Sequence, residues 1–298
     1  MKEIAKTDLR SLRPLAELDR RGFMSAAVIG GFAAATLPIS ASTLTTDAAG
    51  LDTGEAKIPV ADGVMPGYFA RPKTGTNLPV VIVIQEIFGI HEHIRDVCRR
   101  FAKRGALAVA PALFARQGDP SVVSDISMLM REIVSKVPDD QVMADLDATV
   151  KWARGERGTG KLGVTGFCWG GRITWLFAAH SSEVAAGVAW YGRVVGQPTA
   201  LQPLHPVDVA ARLKAPVLGL YAGRDGGIPL ETVERMRSAL GVSEATAASK
   251  ASNIIVYPEA QHGFYADYRA SYRAEDAEPA FKNALEWLNR FGLSIKAT

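Results

Sequence analysis

Cysteine is scarce in this 298-residue chain: Cys98 and Cys168 are the whole complement. Two thiols cannot form a disulfide framework, and without a C-x-x-C pair no zinc ribbon or finger is encoded. Charge of one sign is equally short. Against 34 Lys+Arg stand 31 Asp+Glu, a formal net charge of +3, with no basic run interleaved by aromatics; a nucleic-acid-binding surface is excluded. The longest apolar stretch, Ser25 to Ile39, is shorter than the ~20 residues of a membrane-spanning helix and is interrupted by Gly30-Gly31. The 28 glycines and 16 prolines are too few and too scattered for a collagenous or low-complexity chain. What is present is 48% hydrophobic residues, enough for one large α/β domain or two smaller ones without a disulfide or metal staple.

The first fifty residues differ from the rest. Residues 19–24 read Asp-Arg-Arg-Gly-Phe-Met, an apolar small-residue stretch runs from Ser25 to Ile39, and a Ser/Ala/Thr-rich exit runs from Ser40 to Gly50. A basic region, an apolar core and a small-residue exit make a bacterial export signal. Arg20-Arg21 followed by Phe23 resembles the twin-arginine type, which implies a periplasmic or secreted protein and the twin-arginine machinery as a transient partner. The alternative is an ordinary amphipathic N-terminal helix; a stable membrane span fits worse, since Gly30-Gly31 interrupts a short apolar stretch. Cleavage is expected near Ala41 or Ala49. Residues 1–41 hold six basic and four acidic side chains, so cleavage after Ala41 leaves a charge of +1. Residues 1–50 are assigned to signal and linker, and the folded domain to 51–298.

Beyond Ile58 the pattern alternates. Gly67–Arg71 before Pro72 predicts an edge strand. Pro79–Ile84 is a continuous β-branched run, the mark of a strand buried on both faces. Ile94, Val97, Cys98 and Phe101 lie at helical spacing over 92–104, and Gly105 ends that helix. Strands follow at Ala106–Ala110, Leu162–Gly166, Val184–Trp190, Pro216–Tyr221 and Asn253–Tyr257. Helices are predicted over 121–135, 139–154, from Arg172, over 229–240 and over 276–290. This alternation implies a single α/β domain, a mostly parallel sheet with helices on both faces.

Gly166-Phe167-Cys168-Trp169-Gly170 falls between a strand and a helix. It is the G-x-nucleophile-x-G elbow with cysteine in place of serine. Glycines suit the sharp turn, and the following helix N-terminus favours thiolate over thiol. The Trp169 N–H is then one oxyanion donor. The competing reading is a buried core cysteine beside a glycine-rich turn. A thiol nucleophile of this kind needs a base and an orienting acid. Asp225 follows the strand ending at Tyr221 and His262 follows the strand ending at Tyr257, the acid-then-histidine order of α/β-hydrolases. Glu86 follows Val80–Gln85 at a strand C-terminus, where open α/β sheets bind ligands.

The segments Val81–Gly89, Gly166–Gly171, Gly223–Asp225 and His262-Gly263-Phe264 resemble the dienelactone hydrolase (carboxymethylenebutenolidase) family, an α/β-hydrolase branch. The resemblance runs from about residue 55 to residue 292. It implies hydrolysis of an ester or lactone through an acyl-enzyme, with Cys168 as nucleophile, His262 as base, Asp225 as its orienting acid, and neither cofactor nor metal. It implies that Glu86 bonds the resting thiol and accepts its proton when substrate arrives, a role suited to a carboxylate of raised proton affinity in an apolar cleft. It implies that the N–H groups of Ile87 and Trp169 form the oxyanion hole. Where family members acting on dienelactone carry an arginine after the histidine, this sequence has Ala266, with Arg269 and Arg273 nearby. Two alternatives are a general carboxylesterase, separable by a panel of anionic and neutral esters, and a catalytically silent periplasmic binding or redox-responsive protein.

The remaining candidates read as structural. His91-Glu92-His93 lacks a third ligand, and residues two apart on a helix face apart, so no metal site is expected. His180 and His205 read as capping or surface residues, Cys98, Trp175, Trp190 and Tyr191 as core. Trp169 is a candidate pocket residue.

Overall fold

A computed structural model describes residues 44–296. The export signal expected before them lies outside the described residues. The elements in chain order are β1 (Leu51–Val60), β2 (Gly63–Pro72), β3 (Val80–Ile84), α1 (Glu92–Lys103), β4 (Leu107–Pro111), α2 (Ile126–Glu132), α3 (Asp139–Gly155), β5 (Leu162–Phe167), α4 (Trp169–His180), β6 (Val184–Trp190), α5 (Pro206–Val209), β7 (Val217–Ala222), α6 (Leu230–Leu240), α7 (Ala247–Ala251), β8 (Asn253–Tyr257) and α8 (Ala274–Arg290). They form one eight-stranded sheet in the order β1-β2-β4-β3-β5-β6-β7-β8. The β1–β2 and β2–β4 pairs are antiparallel and the other five are parallel. Every residue of β3, β4 and β5 is buried, which requires helices on both faces of the sheet centre.

Three expectations change. β2 is not the edge strand, because β1 pairs along its whole length from Leu51↔Pro72 to Val60↔Gly63. The β1 sequence LDTGEAKIPV mixes polar residues into a half-exposed strand, so its alternation is weak. The helix expected over 121–135 is broken. The side chain of Asp119 accepts from Ser121 N–H and that of Asp125 from Met128 N–H, capping a 3-10 turn and then α2 separately. Residues 44–50, expected in the linker, lie along α1. Thr46 N–H donates to Asp96, Arg99 donates to the Thr46 carbonyl, and Lys103 pairs with Asp47.

The elbow after β5 is the tightest point of the fold. Cys168 has φ 55° and ψ −113°, a backbone conformation costing about 1–3 kcal/mol in a non-glycine residue. Flanking side chains are sterically forbidden. A Cβ on Gly166 would stand 2.2 Å from the Gly170 carbonyl oxygen, and one on Gly170 would stand 2.5 Å from that of Ile84. Gly163, the second residue of β5, would place its Cβ 2.5 Å from a Leu293 methyl, the movable end of a side chain. Gly166→Ala should therefore fail to fold or lose more than ~3 kcal/mol, while Gly163→Ala should lose about 1–3 kcal/mol. Urea unfolding of the two variants tests the ranking, and equal losses would contradict it.

Candidate active site

The site lies beyond the C-terminal ends of β5, β7 and β8. Cys168 stands at the β5–α4 turn. Its own N–H donates to the Trp190 carbonyl at the end of β6, and its carbonyl accepts from Gly171 N–H. Trp169 opens α4, so its N–H belongs to the first turn, whose donors the helix leaves unpaired.

Asp225 and His262 are brought together by the pairing of the loops after β7 and β8. Gly223 N–H donates to the Tyr257 carbonyl and Arg224 N–H to that of Ala260. The approach demands glycine at 223, where a Cβ would stand 2.4 Å from the Pro258 carbonyl oxygen. Asp225 Oδ1 accepts from the N–H groups of Gly227 (2.8 Å) and Ile228 (3.1 Å). Its Oδ2 lies 2.7 Å from His262 Nδ1. Burial alone would favour the neutral imidazole, yet the Asp225 charge and the adjacent Cys168 sulfur push the His262 pKa up to about 10. Cys168, Trp169, Ile87 and His262 line one cleft of about 130 Å³. Thus the structure brings together the predicted nucleophile, base, acid and both N–H residues.

The match to known proteins agrees with this geometry. Residues 65–292 match the dienelactone hydrolase family. The chain belongs to that family. It is 55% identical to the "Putative carboxymethylenebutenolidase" of Methylorubrum extorquens, over 96% of this chain and 98% of that one. The like-named protein of Escherichia coli K12 is 50% identical, over 88% and 96%. The crystal structure of a "Putative Dienelactone Hydrolase" from Klebsiella pneumoniae is 54% identical and superposes with a TM-score of 0.77, covering 80% of this chain and 99% of its own.

Within this family member Glu86 differs from the carboxylate of raised proton affinity expected from its sequence position. It is fully buried, and burial alone would raise its pKa. The Arg269 guanidinium and the His91 ring outweigh that cost and hold Glu86 below the usual carboxylate range. Its oxygens accept from Tyr268 Oη (2.5 Å), His91 Nε2 (3.2 Å) and Arg269 (3.2 Å). His91 itself is pushed down by burial despite its bond to Glu86, so it acts as a neutral donor through Nε2–H. Ala266 is buried without a polar group. Of the two neighbouring arginines, Arg269 turns inward to Glu86, while Arg273 pairs with Glu275 and Asp276 at the surface.

His91 and His93 do stand together, contrary to the helical-spacing argument, because His91 is the N-cap of α1 rather than a helical residue. Their rings stack at 6.1 Å, but each serves a different carboxylate, His91 that of Glu86 and His93 that of Asp267 at 3.0 Å. Among the described residues no group of acids, histidines and cysteines is arranged to hold a metal ion. His205 and Tyr191, read as surface and core, both line the cleft. Cys98 is fully buried, and desolvation pushes its thiol pKa up, as a core cysteine requires.

The His262 shift has a consequence for stability. A pKa raised in the folded state gives stabilisation that is complete below the unfolded value of 6.5 and is lost as pH rises toward 10. Through that window each pH unit removes up to about 1.4 kcal/mol of the histidine's contribution. The gap in melting temperature between the native protein and His262→Gln should be wide at pH 6 and narrow at pH 9; a constant gap would refute the linkage.

Proposed function

We propose that this dienelactone hydrolase family member cleaves carboxylic esters, lactones included, through a Cys168–His262–Asp225 triad and an acyl-enzyme. One observation carries the reading. A buried His262, bonded to Asp225 through Nδ1 at 2.7 Å, shares a cleft with a cysteine held in a strained strand-to-helix turn. An imidazolium beside sulfur stabilises thiolate, the nucleophilic form. The thiolate attacks the carbonyl carbon, and the oxygen takes up the negative charge facing the Ile87 and Trp169 N–H groups. The tetrahedral adduct collapses as the C–O bond breaks and His262 gives its proton to the departing alkoxide. His262, now neutral, takes a proton from water, whose oxygen attacks the thioester and expels thiolate. Atoms balance as ester plus water giving acid plus alcohol. Asp225 keeps His262 in the required tautomer. Glu86, saturated by three donors, holds the turn that presents Ile87.

Cys168→Ala should lower kcat/KM for 4-nitrophenyl acetate by more than about 10³-fold while the circular dichroism melt is kept. Retained turnover in that variant would sink the triad. Ala266 offers no charge to a substrate anion on the loop after β8, and a panel of anionic and neutral esters separates a lactonase of anionic substrates from a general esterase.

We propose too that the chain is exported. Arg20-Arg21-x-Phe23 ahead of an apolar stretch supports this. In a bacterial host the protein should appear in the periplasmic fraction, shortened near Ala41 or Ala49, and Arg20→Lys with Arg21→Lys should keep it full-length in the cytoplasm. Periplasmic recovery of the doubly substituted chain would argue against the twin-arginine route.

A further inference from the structure

The catalytic cleft is rich in donors and poor in anions. Its lining contains two arginines, Arg172 and Arg193, and no aspartate or glutamate. Arg172 is committed: two of its nitrogens meet the Asp139 carboxylate at 2.7 Å each, and one also donates to the Leu204 carbonyl. Arg193 is not. Among the described residues its guanidinium makes no hydrogen bond within 3.5 Å and no ion pair within 4.0 Å, though it is half-buried. Desolvation lowers its pKa, opposed by Cys168 and Asp225 and reinforced by Arg172. Trp169 Nε1 and Tyr191 Oη, both buried and lining the same cleft, also have no partner among the described residues. Unmatched donors in a half-dry cleft carry a standing cost that a bound acceptor removes.

The position of Arg193 is fixed by its neighbours. Gly192 packs on the first turn of α4 so closely that a Cβ would stand 2.3 Å from the Gly171 carbonyl carbon. Val194 is fully buried, and its carbonyl accepts from Val207 N–H. Backbone on either side is therefore immobilised, and the side chain between enters the cleft beside Cys168. This is the wall after β6, opposite in origin to the loop after β8 that carries Ala266.

We propose that Arg193 is the specificity-determining residue of the cleft, binding a carboxylate on the acyl part of an ester or lactone substrate while Cys168 attacks the ester carbonyl. The assignment rests on the esterase reading above. It puts the anion site on the loop after β6, where Ala266 provides none on the loop after β8.

The test compares 4-nitrophenyl hydrogen succinate, an anion, with its neutral methyl ester, for the native protein and for Arg193→Gln, Arg193→Lys and Arg193→Glu. The native ratio of kcat/KM, anion over neutral, should fall about tenfold or more in Arg193→Gln, further in Arg193→Glu, and be largely kept in Arg193→Lys. An unchanged ratio in Arg193→Gln overturns the proposal. Alkylation of Cys168 by iodoacetate and by iodoacetamide decides the case in which the native protein hydrolyses neither ester. If the iodoacetate-to-iodoacetamide rate ratio falls about tenfold in Arg193→Gln, the anion site stands and the esterase reading fails. If that ratio is unchanged, Arg193 has no such role.

Discussion

At the turn between β5 and α4, main chain meets main chain with no room for side chains. Gly166 is held against Gly170, Gly170 against Ile84, and Gly171 against the Trp190 carbonyl, each at distances a Cβ would violate. These contacts force Cys168 into a positive φ that no packing preference of cysteine would choose. The candidate site is arranged around that point. The thiol stands up from the sheet because the strand cannot run on, and the helix begins at once because its first turn is wedged between β3 and β6. The strain is maintained by the burial of β3, β5 and β6 around it.

Around this fixed sulfur the protein segregates two charged systems. One is Asp225 with His262, where a carboxylate bonded by two backbone N–H groups makes an imidazolium tolerable in a buried place. The other is Glu86 with Arg269, Tyr268 and His91, in which a guanidinium and two neutral donors keep a buried carboxylate ionised. A buried ion pair of this kind is weak as a source of stability but strict about geometry. Here it fixes the turn bearing Ile87.

How much of this was legible in the sequence follows from the range of the interactions involved. Val80–Ile84 and Leu107–Pro111 are apolar throughout, so central strands could be read from composition alone. The places of Asp225 and His262 could be read from their order on the loops after β7 and β8. The hairpin strand β1 could not, because a half-exposed edge strand carries polar residues and loses its alternation. The role of Arg269 was unreadable for a different reason: its partner Glu86 is 183 positions away, and nothing local marks an arginine that turns inward. His205 and Tyr191 reach the cleft only because the segment after β6 folds back over α4, which is set by Gly192 and not by any periodicity. Helical spacing does not govern His91, because that residue caps α1 and lies outside its turns.

The sheet order also separates the members of the proposed triad unequally. Asp225 and His262 issue from β7 and β8, adjacent strands whose following loops are bonded backbone to backbone. Cys168 issues from β5, with β6 between. Twisting or sliding of the sheet therefore leaves the Asp225–His262 pair intact and falls on the gap between His262 and Cys168. β6 acts as the spacer of that gap, bonded to the Cys168 N–H on one side through Trp190 and to β7 on the other. The spacing between Cys168 and the Asp225–His262 pair is gauged by the width of a single strand.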